Sequence, residues 1–268
     1  MLKNMILNLE DRTVFNHHPN IPNSFRMLVI GSSGCGKMVL LLRLLIEPIF
    51  LDYDNLIIYT TTKDQQEYQL LYHGFNNGLS KENLAAITLQ QENLKGLSIP
   101  VLCKKYAEFL KNPKSVLRSS EPEALITVML IDKTNELTPP EQLDKNKKHL
   151  IIFDDCITQK NQQVIGSYFS KGRHNNCNSI YLSQSYFDLE KMIRLNANML
   201  VLFKLNQRNK NDVYQSAVGT IMDKNDFVNS ADSVWSKKYR YIVIDREQEN
   251  IFSDIFEENF SNEQDDYQ

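Results

Sequence analysis

The sequence predicts an α/β fold of three layers, in which a mostly parallel central sheet lies between two layers of helices. Five short apolar runs indicate the strands: FRMLVI (25–30), NLIIYT (55–60), HLIIFD (149–154), SIYLSQ (179–184) and MLVLFK (199–204). Each run is almost continuously apolar, which is typical of parallel strands that are buried on both faces. Helical patterns lie between the runs. Residues 38–47 are apolar almost all round and stop at Pro48, which indicates a buried helix.

Capping signals predict two further helices. In FDLEKMIRL, Asp188 is the predicted N-cap, and Phe187 and Met192 are spaced for a hydrophobic staple. In NQRNKNDVYQSAV, Asn209 is the predicted cap and Asp212 falls in the first turn. Each of these segments follows a predicted strand, so both helices fit the connections of an α/β sheet.

Two regions extend this scheme. Residues 61–148 are longer than one crossover needs, and we interpret them as an insertion that elaborates one edge of the sheet. Within it, AAITLQ predicts an extra strand and VLCKKYAEFLK a helix, while the period of ALITVMLID favours neither. Residues 239–252 predict two strands around a polar turn, at the other end of the sheet.

Length and charge indicate one domain with a tail. A chain of 268 residues, 42% of them hydrophobic, can bury a substantial core. We expect a single domain over residues 1–246, including the insertion, and a partly disordered acidic tail over 247–268. The tail carries eight acidic and no basic residues, which leaves 30 basic and 25 acidic residues in the body. This balance is compatible with a nucleic-acid partner but does not require one, because solvated surface charge gives the same count.

The sequence carries no secretion or membrane signal. Its first residues, MLKNMILNLEDRTVFNHH, lack the long apolar core of a signal peptide, and no run approaches the roughly 18 apolar residues of a membrane span. We therefore expect an intracellular protein that is not secreted and has no membrane partner. The four scattered cysteines form no C-x-x-C pair, which argues against a disulfide framework or a zinc site.

A phosphate-binding loop follows the first predicted strand. GSSGCGK matches G-x-x-x-x-G-K and precedes a predicted helix, which is the context that this motif requires. Its glycines allow successive backbone N–H groups to face phosphate oxygens, and Lys37 would neutralise the β and γ phosphates of ATP. A chance glycine turn is the alternative, and the strand, lysine and helix together disfavour it. The predicted nucleotide-binding residues are Gly31, Ser32, Ser33, Gly34, Cys35, Gly36, Lys37 and Met38.

A pair of aspartates ends the predicted strand HLIIFD, 117 residues after Lys37. Asp154 is the predicted Mg²⁺ ligand, and Asp155 is predicted to polarise the attacking water, a task that a glutamate often performs. The alternative is a helix cap or a surface turn, where aspartate pairs are common. The phosphate loop upstream favours the catalytic interpretation.

A polar side chain at the tip of the next strand is the third candidate. In P-loop ATPases of the additional-strand type, the strand that carries a polar sensor lies between the loop strand and the acidic strand. Gln184 occupies that tip, and its amide can hydrogen-bond both the γ-phosphate and the attacking water. Ser183 and Ser185 are better explained as caps of the following helix.

Four segments carry a family resemblance: GSSGCGK, LIIFDDC, KGRHNNCNSIYLSQSYF and LVLFK. The set resembles the poxvirus-type genome packaging ATPases of the FtsK–HerA group of P-loop motors, which other large DNA viruses, virophages and Maverick/Polinton transposons also carry. The likeness spans residues 22–245 and is most specific over 170–187.

The resemblance implies a RecA-like core, a homo-oligomeric ring, and ATP hydrolysis with Mg²⁺ that moves double-stranded DNA into a capsid. It also implies capsid or portal-vertex proteins as partners, and the cytoplasm, nucleus, viral factory or virion as the location.

Ring motors of this kind complete each active site with an arginine from the neighbouring subunit, worth about 10³ to 10⁵ in rate in well-studied cases. Arg173 is our candidate for this trans arginine finger, Arg208 is the runner-up, and Arg194 is a weaker third. A surface salt bridge is the alternative for each of them. Small basic clusters provide candidate DNA contacts, although each is better explained as a solvated face; they comprise Lys145, Lys147, Lys148, Lys210, Lys237, Lys238 and Arg240.

Met38 replaces the serine or threonine that normally supplies a hydroxyl to Mg²⁺. A thioether is a poor ligand for this hard cation, and losing one charge-assisted contact costs about 1.5 to 3 kcal/mol, or roughly 10- to 150-fold in affinity or rate. We therefore expect nucleotide binding to survive and turnover to be weakened.

Two hypotheses follow: a packaging motor impaired at its metal site, or a non-catalytic nucleotide-binding relic of a viral or transposon gene. A P-loop kinase or GTPase is disfavoured, because neither a lid nor a guanine-reading N-K-x-D stretch is present.

Overall fold

One mixed sheet organises the computed structural model, which describes residues 13–89, 103–104, 125–159 and 162–256. The strands are β1 (Arg26–Ile30), β2 (Asn55–Thr60), β3 (Thr127–Ile131), β4 (His149–Asp154), β5 (Cys177–Ser183), β6 (Met199–Leu202), β7 (Ile242–Asp245) and β8 (Asn250–Phe252). Across the described residues they lie in the order β3-β2-β4-β5-β1-β6-β7-β8.

Strands β1 to β6 run parallel, and β7 and β8 are added as antiparallel strands. The six parallel strands therefore end at one side of the sheet, here called the carboxyl edge, and begin at the opposite side, the amino edge. The loop that follows each parallel strand opens at the carboxyl edge, where ligands bind in open α/β sheets.

One face of the sheet is covered by three helices from the first part of the chain: α1 (Lys37–Ile46), α2 (Gln66–Asn76) and α3 (Lys81–Leu89). Met27 and Val29 of β1 point to this face and join the same buried cluster as Leu41 of α1 and Leu71 of α2. Alternation along the strand sends the intervening residues to the other side.

The opposite face is covered by α4 (Gln162–Lys171), α5 (Lys191–Asn196), α6 (Gln207–Val213) and α7 (Lys224–Val234). Leu28 and Ile30 of β1 point here, in one cluster with Ile165 of α4 and Phe227 of α7. A π-helical turn, Tyr214–Val218, continues α6, and 3₁₀ turns cover Thr134–Glu136, Pro140–Gln142 and Gly172–Asn175. Among the described residues, no helix is both long and apolar enough to cross a bilayer.

The structure confirms the predicted three-layer, mostly parallel RecA-like architecture. All five predicted core strands are present, and β5 lies between β1 and β4, as in the additional-strand arrangement. The ambiguous run ALITVMLID contains β3, which pairs with β2, and residues 239–252 form the β7–β8 hairpin. Strand β8 belongs to the sheet although its residues fall in the predicted tail; residues 257–268 lie outside the described part.

The strand predicted for AAITLQ is wrong, because residues 81–89 form α3. Leu84 and Ile87 lie three residues apart and are both fully buried, so a helical face satisfies the apolar pattern. Leu84 packs closely on Gly74 of α2, where a side chain would collide with it. Of the predicted helix VLCKKYAEFLK, Cys103 and Lys104 are described and are helical, and the rest lies outside the described residues.

Helix α1 forms as predicted, but it is not buried all round, because Val39 is 65% exposed. That side of the helix faces the cavities described below. Helix burial was overestimated because the spacing of apolar residues cannot distinguish a core contact from the wall of a binding cavity.

Both predicted caps are wrong. Helix α5 begins at Lys191 after Glu190, which makes no side-chain capping bond, so Asp188 is not its cap and the predicted staple does not apply. Helix α6 is capped by Asn206, whose side chain accepts a hydrogen bond from the N–H of Asn209 at 2.9 Å.

Asn209 is instead buried and holds the turn after β5. Its Oδ1 accepts from the N–H groups of Tyr186 and Phe187, at 3.2 and 3.4 Å, and lies 3.3 Å from the hydroxyl of Ser185. Asn209 therefore anchors the turn at residues 185–187 and does not cap a helix.

Candidate nucleotide-binding site

The GSSGCGK loop joins the end of β1 to the start of α1 at the carboxyl edge. Two of its glycines adopt left-handed backbone, with φ of 72° at Gly34 and 111° at Gly36, which other residues rarely adopt. At Gly31 the constraint is space, because a Cβ would lie 2.6 Å from Cys35 Sγ and 2.7 Å from Phe203 Cβ. The sequence therefore forms the tight turn that exposes backbone N–H groups to an anion.

The Lys37 ammonium folds back over this loop. Its Nζ donates to the carbonyl oxygens of Gly31, at 2.5 Å, and Ser32, at 3.0 Å, and lies 4.0 Å from Cys35 Sγ. These contacts hold a positive charge at the mouth of the loop, next to the N-terminus of α1, so charge and helix dipole both favour a bound phosphate.

The loop opens into a cavity of about 490 Å³, hereafter the phosphate cavity. Residues from the ends of β2, β4 and β5 line it together with the loop, because these parallel strands all end at the carboxyl edge. The lining residues are Ser33, Gly34, Gly36, Lys37, Met38, Val39, Thr62, Gln65, Asp154, Asp155, Leu182, Ser183, Gln184 and Tyr239. The structure thus brings Asp154, Asp155, Gln184 and five of the eight predicted loop residues to one cavity, while Gly31, Ser32 and Cys35 are not in its lining.

Asp154 is the last residue of β4 and is half-buried in the wall of the cavity. Burial raises the pKa of its carboxyl above the usual value, and the nearby carboxylate of Asp155 acts in the same direction. The Tyr68 hydroxyl, which donates to Oδ2 of Asp154 at 2.6 Å, and the Lys37 charge oppose the rise in pKa. A buried carboxylate with a donor on one oxygen keeps the other available to a cation.

Asp155 follows immediately and is exposed to the cavity. Its backbone is left-handed, with φ of 52°, at the point where β4 ends. Non-glycine residues rarely adopt this conformation, and such strain concentrates at functional sites. The two aspartates are therefore placed in different surroundings, one half-buried and one in contact with solvent.

With one exception, the side chains around the cavity offer ligand atoms that suit Mg²⁺. This cation prefers oxygen ligands, which are present on Asp154, Asp155 and Thr62. In many such sites a nucleotide and water supply the remaining ligands. Met38 lines the cavity and packs partly on the core, so it brings sulfur where an oxygen is expected. No group of three or more His, Cys, Asp or Glu that could hold a metal occurs within the described residues.

Gln184 lies directly after β5 with its side chain exposed to the cavity. The preceding Ser183 closes a local turn, since its Oγ donates to the carbonyl of Ser185 at 2.8 Å and accepts from the N–H of Ser185 at 3.2 Å. Ser183 therefore supports the position of Gln184 and is not a helix cap.

Six residues of the cavity lining were not predicted as site residues; they are Val39, Thr62, Gln65, Leu182, Ser183 and Tyr239. A signal existed for Thr62, because the polar run TTKD (61–64) directly follows the predicted strand NLIIYT. Tyr239 carried no such signal, since only the course of β7 brings it to the loop.

The candidate arginines lie outside the phosphate cavity. Arg173 sits in the 3₁₀ turn before β5, at the amino edge, where it lines a separate cavity of about 270 Å³ with Arg26 and Glu247. The seven residues of β5 separate it from Gln184, a distance of about 20 Å. Arg173 thus cannot serve the phosphate cavity of its own chain.

Arg208 is at the carboxyl edge, on α6, and its guanidinium lies 4.0 Å above the ring of Phe187. Arg194 bonds within its own turn, since its Nε donates to the carbonyl of Leu189 at 3.0 Å. Neither side chain lines the phosphate cavity.

Three of the basic residues considered as DNA contacts form ion pairs. Lys148 pairs with Asp52 at 2.5 Å, Arg240 with Asp254 at 3.1 Å, and Lys210 with Asp232. Lys145, Lys147, Lys237 and Lys238 are exposed. They are scattered over loops at different ends of the sheet, which fits the interpretation of solvated faces.

No family profile and no curated protein matches this sequence. Among solved structures, the chain is similar to the genome packaging NTPase B204 from Sulfolobus turreted icosahedral virus 2 in complex with AMPPCP, at 14% identity and a TM-score of 0.48, over 87% of this chain and 98% of that chain. It is also similar to B204, the DNA-packaging ATPase from Sulfolobus turreted icosahedral virus, with 13% identity, a TM-score of 0.45, and coverage of 85% and 95%. For VirB4 of Thermoanaerobacter pseudethanolicus the identity is 10% and the TM-score 0.43, over 85% of this chain and 88% of that one. These likenesses concern the fold alone.

Proposed function

We propose that this chain is an ATP-binding P-loop motor of the viral DNA-packaging type, which couples ATP hydrolysis to the translocation of double-stranded DNA into a capsid. One observation carries the ATP-binding part: the glycine loop with Lys37, the pair Asp154 and Asp155, and Gln184 all line one cavity at the carboxyl edge. A chance glycine turn would not bring two carboxylates and an amide to the same space.

The loop would hold the triphosphate. Backbone N–H groups of the loop would donate to the phosphates, and Lys37 would exchange its bonds to the carbonyls of Gly31 and Ser32 for phosphate oxygens. Asp154, with one carboxylate oxygen held by Tyr68, would hold Mg²⁺ on the other. When bound, the cation neutralises charge on the β and γ phosphates.

Asp155 and Gln184 would act on the attacking water. Asp155 is exposed to the cavity beside Asp154, so its carboxylate can orient a water molecule and accept its proton as the γ-phosphoryl group is transferred. Gln184 would hydrogen-bond that water and the γ-phosphate. The products are ADP and inorganic phosphate.

Met38 favours a second candidate function. The residue brings a thioether into the cavity where a metal-binding hydroxyl is expected, and this would lower turnover by roughly 10- to 150-fold without removing the phosphate contacts. A non-catalytic nucleotide-binding relic of a viral or transposon packaging ATPase would retain the same loop.

The DNA and ring parts of the proposal are supported by the resemblance of residues 170–187 to poxvirus-type packaging ATPases. Arg173 lies within that stretch and at the amino edge, so it could complete only a neighbouring subunit's site in a homo-oligomeric ring. Arg208 is the runner-up for this role. Capsid or portal-vertex proteins would be the further partners, in the host cell or in the virion.

The test is DNA-stimulated ATP hydrolysis by the native chain, Lys37→Ala and Met38→Thr. We expect the native protein to exceed Lys37→Ala, and Met38→Thr to raise turnover by roughly 10- to 150-fold. Met38→Leu is the matched control, because it changes shape without adding an oxygen and should not raise turnover.

Nucleotide affinity with and without Mg²⁺ separates the two candidates. A motor should bind ATP more tightly with Mg²⁺ and hydrolyse it above the Lys37→Ala background. Binding without such hydrolysis, together with recovery in Met38→Thr, would establish the non-catalytic candidate for this chain. Equal ATP binding by the native protein and Lys37→Ala would contradict both.

A further inference from the structure

A second cavity, of about 470 Å³, adjoins the phosphate cavity between α1 and the segment that leads into the β7–β8 hairpin. Gly36, Val39 and Tyr239 line both spaces, so the two are contiguous. The further lining residues are Leu40, Arg43, Phe203, Lys238, Arg240, Tyr241, Asp254 and Phe256. Its volume lies in the range that small ligands occupy, about 300 to 1,000 Å³.

The strand order places the carboxylates and Tyr239 on opposite sides of the phosphate loop. Asp154 ends β4, two strands from β1 on one side, while Tyr239 precedes β7, two strands from β1 on the other. Because β7 is antiparallel, its start lies at the same edge as the ends of β1 and β4. With strands about 4.8 Å apart, β4 and β7 each lie about 10 Å from β1, so the carboxylates and Tyr239 are on opposite sides of the loop.

A triphosphate bound in this loop would therefore point its γ-phosphate toward Asp154 and its other end toward Tyr239. The second cavity begins at that other end, beside Val39 on the first turn of α1. The exposure of Val39, at 65%, leaves this path open.

Tyr239 combines a strained backbone conformation with an exposed side chain. Its backbone is left-handed, with φ of 67°, which is strained for a bulky residue, and 56% of the residue is exposed. Its Cδ1 would lie 3.4 Å from a Cβ at Gly36, so the ring stands directly beside the loop. Lys238 Nζ lies 4.7 Å from the centre of the ring.

The far wall of the cavity is held in place by charged and aromatic contacts. The Arg43 guanidinium stacks 3.6 Å above the Phe256 ring. Asp254 accepts from Arg240 Nη1 at 3.1 Å and from the Tyr241 hydroxyl at 2.6 Å. The cavity is thus a prebuilt space with an aromatic ring at its entrance.

We infer that this second cavity receives the nucleoside of the bound triphosphate and that the base stacks on the exposed ring of Tyr239. This inference rests on the proposed nucleotide binding. Stacking of a base on an aromatic side chain is tolerant of base identity, so the site recognises nucleosides as a class.

The test compares the binding of ATP and of inorganic tripolyphosphate by calorimetry. Native protein should bind ATP more tightly than tripolyphosphate. Tyr239→Ala should weaken ATP binding by about 5- to 150-fold and leave tripolyphosphate binding unchanged, because only the stacking contact is lost. Tyr239→Phe keeps the ring and should bind ATP like the native protein. Tyr72→Ala removes another exposed tyrosine, on α2, and should change neither affinity.

Each other outcome is decisive. Equal losses for both ligands in Tyr239→Ala would show that Tyr239 only shapes the loop, and unchanged ATP affinity would show that no base stacks there. Either result overturns the inference while leaving nucleotide binding intact. If native protein binds neither ligand, the proposed function fails and the nucleoside site fails with it.

Discussion

Asp154 shows how a residue suited to a cation site can weaken the fold. Its carboxyl is buried enough for its pKa to rise, despite the Tyr68 hydroxyl at 2.6 Å and the nearby Lys37 charge. A carboxyl whose pKa is raised on folding binds its proton more tightly in the folded state. The free energy of unfolding therefore falls as the pH rises above the ordinary carboxyl pKa near 3.8. Above the raised pKa of the folded state, the loss of stability is complete.

We predict that Asp154→Asn stabilises the protein at pH 7 by about 0.5 to 2 kcal/mol. The amide carries no charge and keeps an oxygen that can accept from Tyr68. The gain should shrink as the pH falls through the raised pKa of Asp154, because the native carboxyl then becomes protonated and neutral. Urea unfolding at several pH values measures both effects, and the same variant should lose the Mg²⁺ dependence of ATP binding.

Asp155→Asn is the control for this prediction. Its side chain is exposed, and asparagine tolerates the left-handed backbone at this position, so the free energy of unfolding should change by less than about 0.5 kcal/mol. A gain in Asp155→Asn as large as that in Asp154→Asn would show that the benefit does not come from burial.

In the phosphate loop, substitution of Gly31 is restricted by lack of space, whereas substitution of Gly34 is restricted by backbone conformation. At Gly31 a Cβ would collide with Cys35 Sγ at 2.6 Å and with Cβ of the buried Phe203 at 2.7 Å. At Gly34 nothing lies within 4 Å, but φ is 72°. The two positions therefore tolerate different substitutions.

We predict that Gly31→Ala costs about 1 to 3 kcal/mol of unfolding free energy and also weakens ATP binding, because the loop must move away from Phe203, the residue after β6. Gly34→Asn adds a larger side chain but should cost less than about 1 kcal/mol, since the space is open and asparagine adopts left-handed backbone. Denaturant unfolding of both variants, with ATP affinity alongside, measures the difference. A greater loss in Gly34→Asn would contradict the steric account.

The whole molecule has its predicted arginine finger and its phosphate cavity at opposite edges of one sheet. Arg173 lies before β5 and Gln184 after it, so a single chain cannot bring the guanidinium to its own nucleotide. A ring in which the amino-edge surface of one subunit faces the carboxyl edge of the next would do so. The proposal thus ties the activity of the site to assembly.

We predict that Arg173→Ala and Lys37→Ala are each inactive as pure proteins but recover ATP hydrolysis when mixed. In a mixed ring, some intact phosphate loops meet an intact Arg173 from the neighbouring subunit. Turnover measured against the mixing ratio should peak at an intermediate composition. If native turnover is low, ATP hydrolysis is measured with both variants also carrying Met38→Thr.

Arg208→Ala mixed with Lys37→Ala tests the runner-up in the same way. If Arg173→Ala keeps native turnover while the Arg208 pair complements, the finger is Arg208. If neither pair complements, trans completion of the site by these arginines is wrong.

Much of the fold could be predicted because its signals are local. Apolar runs such as 55–60 and 149–154 became strands with those bounds, since a strand buried on both faces needs a continuous run. GSSGCGK was recognisable because its glycines and lysine act through their own backbone and neighbours. Asp154 and Gln184 followed from their positions at strand ends, once the sheet was known to be parallel.

Other features depend on partners distant in sequence. Residues 81–89 became a helix because Leu84 packs on Gly74, and Asn209 became a buried anchor because the turn after β5 lies against it. Such contacts override local capping and strand signals.

The sequence by itself determined the layers, the phosphate loop and the anomaly at Met38, because each is written in neighbouring residues. Only the tertiary structure decided that Tyr68 holds Asp154, that Thr62 and Tyr239 border the cavity, and that Arg173 faces away from it. The physical reason is that a cavity forms where separate strands end, and the sheet order that joins those ends results from packing the whole chain.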